Sequence, residues 1–260
     1  MTPKPLQRSF EVICEIEPAT RPDLVRVRRQ IGVLGTVADA FLIPDNHIGR
    51  ATVSSIAVAH EVARMGGRAI ACLNARDRNT LGFRRDLLTA SAYGVDEFLF
   101  VYGDRPESGR RSDDLTVRSM IDEARAFAAT NGGTARIGVS TRFGPLPAWK
   151  READMLFSQV TFSLDDLLAW RGTIDFDGPV YAGVMVVASA QMARKLSADI
   201  GQLAVPTDLI ERVERDRDAG VDAACALVAD IRESGAFDGV HLISVARFRD
   251  VAARLETLLG

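Results

Sequence analysis

The chain has 260 residues, 47% of them apolar and 26% charged, and a net charge of −3. These values suit a soluble globular fold of one large or two small domains and give no general surface for nucleic acid. Residues Met1–Arg8 lack the apolar core of a leader, and no apolar run reaches the roughly 18 residues of a membrane helix. Cys14, Cys72 and Cys225 lie far apart without metal-site spacing. The expectation is a cytoplasmic protein without disulfides, metal or membrane.

Strand-like runs alternate with helical spacing along the whole chain. Phe10–Ile16 reads as a strand, followed by a helix over Pro22–Leu34 in which Leu24, Val27, Ile31 and Leu34 form one apolar stripe. Asp39–Ile43 precedes a helix over Val53–Met65, which Gly66-Gly67 stops. Arg68–Leu73 precedes Leu81–Tyr93. Glu97–Tyr102, rich in aromatic and β-branched residues, precedes Leu115–Ala129. Ala135–Ser140 and Met155–Ser158 are separated only by Gly144–Ala153 with its two prolines, so the helix there is at most two turns. Leu164–Trp170 follows. Pro179–Val187 leads into helices over Ala190–Ile200 and Thr207–Ser234, and Gly239–Val245 into Phe248–Leu259. Each strand must cross back over the sheet to run parallel with the last, and eight such units fit a closed barrel better than an open sheet. The predicted fold is α/β: a single eight-stranded (β/α)8 TIM-type barrel over residues 1–260, with a shortened fifth helix.

In such a barrel the chemistry sits on the loops after the strands. In order, the strand ends carry Glu15 and Glu17; Asp45, Asn46 and His47; Asn74; Gly103-Asp104; Thr141-Arg142; Ser158-Gln159; Met185; and Ala246-Arg247. Glu15 and Gln159 fall within strands rather than turns, which points to a polar binding site and not only to solvated loops. Glu15 and Glu17 are two apart, so both are expected on one face of the strand, and either could be the proton donor. His241 lies inside a strand and reads as a core histidine. The Arg76–Asn79 run reads either as a solvated loop or as a contact for cofactor phosphates.

The order of these motifs resembles the methylenetetrahydrofolate reductase family over nearly the whole chain. Cys14-Glu15-Ile16-Glu17-Pro18 corresponds to the family's Phe-Glu-Phe-Phe-Pro-Pro, Val101-Tyr102-Gly103-Asp104 to Leu-Arg-Gly-Asp, and Ser158-Gln159 to Thr-Gln. Ala182-Gly183-Val184-Met185-Val186 corresponds to Pro-Gly-Ile-Met-Pro, and His241–Arg247 to His-Phe-Tyr-Thr-Leu-Asn-Arg. The resemblance implies reduction of 5,10-methylenetetrahydrofolate to 5-methyltetrahydrofolate by NADH or NADPH, normally through bound FAD. It implies that Glu15 protonates the folate and that Asp104 sits by the flavin and recognises the pterin. Gln159 would bind the substrate and Arg247 its benzoyl-glutamate end, with Asp45, Asn46 and Met185 as further substrate contacts at the same rim.

The departures from the family fall on the flavin. Asn74 ends a segment that reads His-Leu-Thr in the family, Tyr102 replaces an arginine that touches the flavin phosphates, and Arg142, after Thr141, replaces a tyrosine that packs on FAD. These four positions, Asn74, Tyr102, Thr141 and Arg142, are the cofactor positions. Their erosion favours hydride transfer straight from nicotinamide over a tightly held FAD. No glycine-rich fingerprint follows the first strand, so the nicotinamide donor would enter the barrel mouth. Two alternatives stand beside the reductase: a folate-binding methyltransferase, and a non-catalytic folate-binding partner subunit of a flavoprotein. A homo-oligomer and a partner protein are both open.

Overall fold

In a computed structural model, which describes residues 10–17, 19–199 and 203–259, eight parallel strands close in chain order into a barrel. They are β1 (Glu11–Glu15), β2 (Ala40–Ile43), β3 (Ala69–Asn74), β4 (Glu97–Val101), β5 (Arg136–Thr141), β6 (Met155–Val160), β7 (Val180–Met185) and β8 (Gly239–Ile243). Around them lie the helices α1 (Val25–Leu34), α2 (Ser55–Arg64), α3 (Thr80–Ala92), α4 (Val117–Asn131), α5 (Leu164–Arg171), α6 (Ala190–Asp199), α7 (Thr207–Arg215), α8 (Ala219–Ser234) and α9 (Phe248–Leu259).

The strands are apolar on both faces because helices cover one side and the barrel interior the other. Alternate residues serve the two sides. Val12, Cys14, Phe41, Ile43, Phe98 and Phe100 face the helices in the larger core. Ile13, Leu42, Ile70, Leu99, Phe157 and Tyr181 fill the barrel itself. Phe157 packs where Gly138 has no side chain; a Cβ there would stand 2.7 Å from its ring.

Below this apolar plug, at the amino ends of the strands, the interior is charged. Arg68 reaches Glu11 at 2.9 Å and Glu97 at 3.6 Å, and Arg136 reaches Glu97 at 3.0 Å. The Tyr181 hydroxyl donates to Glu11 at 2.5 Å. Burial pushes the Glu11 carboxyl up, but the Tyr181 hydroxyl and the Arg68 guanidinium together hold it below its usual range. Glu97 is raised, because burial outweighs Arg68 and Arg136.

Two connections matter for the site. Between β5 and β6 the chain makes only a 3-10 turn over Ala148–Glu152, so the expected short helix is shorter still. The helix expected over Thr207–Ser234 is two helices. It breaks at Asp216–Asp218, where the Asp218 N–H donates to the Asp216 carboxylate at 2.9 Å. The break lets Gly220 approach the β7 end so closely that a Cβ would stand 2.0 Å from the Val187 carbonyl oxygen. Among the described residues no helix is long and apolar enough to cross a membrane.

Candidate active site

Above the plug, at the carboxyl ends of the strands, a cavity of about 910 Å³ opens to solvent. Glu15 closes β1 and projects into it. The Glu15 Oε2 lies 3.1 Å from the Nε2 of His241, which rises from β8 beside it. Both side chains are almost covered, at 13% and 11% exposure. One proton can bridge the two whichever of them carries it. His241, expected to be a core residue, is therefore the partner of the cavity's carboxyl group. The edge of its contact with Phe157, at 5.9 Å between ring centres, fixes the imidazole from below.

Glu15 and Glu17 do not share a face. β1 ends at Glu15, and Glu17 instead pairs with Arg26 outside the barrel. Its backbone is clamped by the buried Gln30, which accepts from the Glu17 N–H at 2.9 Å and donates to the Glu17 carbonyl at 3.0 Å. Only Glu15 is left facing the cavity.

Asp104 lines the cavity from the loop after β4. Gly103 before it adopts φ +94°, and a Cβ there would stand 2.9 Å from that of Asn74, so the turn needs glycine. Asp104 accepts the Ile48 N–H at 3.0 Å, and the Gly49 carbonyl accepts the Glu107 N–H at 2.8 Å. The loops after β2 and β4 are thus tied into one rim. Gln159 lines the cavity from β6, where the register shifts against β7. Its amide has no hydrogen-bond partner among the described residues and is available to a ligand.

Asp45 also lines the cavity, but its Oδ2 is occupied. It accepts from the Asn74 backbone at 3.0 Å, the Asn74 side chain at 2.8 Å and Arg78 at 2.5 Å. Asn74, expected at the cofactor, is buried inside this cluster and donates also to Asp77 at 2.9 Å. Asn46, expected at the substrate, donates to Asp77 at 2.9 Å and accepts from the Thr52 N–H at 3.2 Å. Neither Asn46 nor Asn74 lines the cavity, and Met185 at the β7 end does not. Arg247 is also absent from it. Its guanidinium is held by Asp218, by Asp250 at 2.5 Å and by the Arg217 carbonyl at 2.7 Å, so it ties α8 to α9. The turn before it runs through left-handed Val245 and Ala246 (φ 42° and 62°), which directs the chain away from the mouth.

The opposite wall is basic. Arg142 follows β5, Arg118 stands in the first turn of α4, and Lys150 comes from the 3-10 turn. The Lys150 ammonium donates to the Ser140 carbonyl at 2.6 Å and lies 5.5 Å from the Trp149 ring centre. Burial, and then the neighbouring Arg142, hold Lys150 below the ordinary lysine range. Arg118 and Lys150 were not singled out from the sequence; they come from the start of α4 and from the β5–β6 connection, and no spacing in the chain marks their meeting. Cys72 lines the cavity too, but burial, with Asp45 and Glu15 nearby, raises its thiol and keeps it protonated and inert.

The positions aligned with flavin contacts do not make a dinucleotide cradle. Tyr102 lines the cavity, but the Arg76 guanidinium lies 4.9 Å from its ring centre and its hydroxyl accepts from Arg111 at 3.1 Å. Thr141 is buried and donates to the Arg142 carbonyl at 3.3 Å. With Asn74 inside the Asp45 cluster, Arg142 alone of the four presents a free donor to the cavity. These residues do not fit the phosphates of FAD.

A β/α barrel with a covered carboxyl–imidazole pair, a free amide and a basic wall at the carboxyl ends of its strands belongs to the class that binds small molecules in the barrel mouth. The family profile described as methylenetetrahydrofolate reductase matches residues 150–258, the stretch that carries Lys150, Gln159 and His241, and the chain is similar to that family over this part of its length. No curated protein matches the chain. Among solved structures it is similar to an uncharacterized protein from Clostridium thermocellum that binds two copies of 5-methyl-5,6,7,8-tetrahydrofolic acid. That match has 12% identity and a TM-score of 0.67 and covers 96% of each chain. Two structures of tryptophan synthase from M. tuberculosis are also similar. One has 14% identity and a TM-score of 0.51 over 98% of this chain and 90% of that one; the other has 13% and 0.50 over 98% and 91%. At these identities the structural likenesses show the fold.

Proposed function

We propose that the protein reduces 5,10-methylenetetrahydrofolate to 5-methyltetrahydrofolate, with NADH or NADPH as the hydride donor and no resident flavin. The observation that carries this reading is the Glu15–His241 pair at the cavity floor, 3.1 Å apart and nearly covered, with Asp104 and Gln159 lining the same space. The match of residues 150–258 to the family profile and the likeness to the folate-binding Clostridium thermocellum protein support the substrate.

The chemistry needs one proton and one hydride. Glu15 gives its proton to N10 of the folate, the bond from N10 to the bridging methylene breaks, and N5 becomes an iminium. The nicotinamide then transfers hydride to the methylene carbon, leaving 5-methyltetrahydrofolate and NAD(P)+. His241 holds the Glu15 carboxyl in place before transfer and stabilises the carboxylate after it, since an imidazole can donate to the anion. Asp104 and Gln159 offer an acceptor and an amide to the pterin edge. The protein's further contribution is to bring the two substrates together in one mouth.

The test is NAD(P)H oxidation by the purified protein with and without methylenetetrahydrofolate, alongside a visible spectrum. Oxidation that depends on the folate, in a preparation free of flavin absorbance, is the expected result. Stoichiometric flavin would overturn the direct transfer. Folate binding without any oxidation would favour the partner-subunit alternative.

A further inference from the structure

The charges around the cavity are sorted by side. Glu15, Asp45 and Asp104 come from the ends of β1, β2 and β4, whereas Arg118, Arg142 and Lys150 come from the start of α4 and the β5–β6 connection. In the closed barrel β5 stands four strands from β1, so the basic wall faces the Glu15–His241 pair across the mouth. Arg118 and Arg142 are exposed and have no acidic partner among the described residues. Many other arginines of the chain are ion-paired, Arg247 doubly so. Lys150 is half-buried with a carbonyl and a second cation for neighbours, so among the described residues no acidic group balances the positive charge of this wall. Phe143 and Trp149, from the same connection, add an apolar surface beside it. A ligand that suits both walls has a polar ring system at one end, a flat apolar middle and a carboxylate-bearing end.

We infer that Arg118, Arg142 and Lys150 form the subsite for the carboxylates of the folate tail, in place of Arg247, which is closed off between α8 and α9. This rests on the folate reading above and assigns the direction in which the substrate lies: ring over Glu15 and His241, benzoyl group along Phe143 and Trp149, tail across the mouth. The open rim leaves room for additional γ-linked glutamates, whose carboxylates meet the same cations.

Calorimetric titration of the full chain tests the assignment with three probes: 5-methyltetrahydrofolate, the same compound carrying further γ-linked glutamates, and tailless 6-methyltetrahydropterin. Charge-assisted hydrogen bonds of this kind are each worth about tenfold or more in affinity. The double substitution Arg118→Ala/Arg142→Ala should therefore weaken the tailed ligands by tenfold or more, and added salt should erode the wild-type advantage. It should leave the tailless pterin within about twofold, as a loss confined to a tail contact requires. Lys150→Gln should follow the same pattern, and Arg247→Ala should leave tailed affinity unchanged. Both arginines are exposed, so the double variant keeps the fold, which circular dichroism checks. Equal losses for tailed and tailless probes, or a loss on Arg247→Ala alone, would overturn the subsite while leaving the folate reading intact. Unchanged folate affinity with weakened NADPH or NADH would assign these cations to the nucleotide phosphates and also overturn it. Absence of binding by every folate and pterin probe would remove both readings together.

Discussion

Replacing Glu15 with glutamine isolates the proton from everything else the side chain does. The amide has the same size, fits the same nearly covered position, and can still hydrogen-bond across the 3.1 Å to His241 Nε2. Exchange of the carboxyl for an amide of the same shape, with the hydrogen bond retained, changes stability by about 1 kcal/mol or less. Folate affinity should be nearly preserved, because the pterin contacts from Asp104 and Gln159 are untouched. Turnover should not be. A positioned general acid contributes roughly 10²–10⁴ in rate, so the barrier should rise by about 3–5.5 kcal/mol. Single-turnover mixing of enzyme, methylenetetrahydrofolate and NADH, followed by the loss of nicotinamide absorbance, reads this directly. An equilibrium titration with 5-methyltetrahydrofolate supplies the control. A Glu15→Gln protein that oxidises NADH within about tenfold of wild type would show that the proton comes from elsewhere, and the role given to the Glu15–His241 pair would fail.

Other expectations concern the scaffold. Arg247→Ala removes the tie of α9 to Asp218, Asp250 and the Arg217 carbonyl; it should lower stability by roughly 1–3 kcal/mol in a denaturant melt. Gly103→Ala places a Cβ 2.9 Å from that of Asn74 at a φ of +94°. At about 1–2 kcal/mol for the backbone alone, it should destabilise the protein and displace Asp104, raising KM for folate. Tyr181→Phe deletes the hydroxyl that donates to Glu11. Because the folded-state carboxyl of Glu11 lies below its unfolded value, its contribution is complete above the unfolded pKa and fades as pH falls through the lower folded one. Without the hydroxyl that gap narrows, so the acid-unfolding midpoint should move to higher pH.

The fold was legible because each strand carries apolar residues on both faces and most crossovers have their own apolar stripe and stop signal. The two prolines in Gly144–Ala153 pointed to a shortened helix between β5 and β6, although not to its reduction to a 3-10 turn. The break at Asp216–Asp218 was not foreseen, although Asp216, Asp218 and Gly220 are poor helix formers; in the structure it accompanies the close approach of Gly220 to Val187. Within the site, Glu15, Asp104 and Gln159 could be found from their places at strand ends. His241 could not be recognised as the partner of Glu15, because the two lie 226 positions apart and parity alone says only that both face inward. Arg247 misled for a related reason. Chain order puts it at the correct rim, but two left-handed residues and two aspartates decide where it goes.

On β1 the three inward residues Glu11, Ile13 and Glu15 belong in turn to the floor network, the plug and the mouth. The plug therefore works as a septum between two polar chambers, and groups on either side are coupled only weakly through it. A barrel anchored from beneath in this way can exchange the lining of its upper chamber without loosening its walls. That freedom is consistent with a shared architecture persisting where only 12% of residues agree with the Clostridium thermocellum protein.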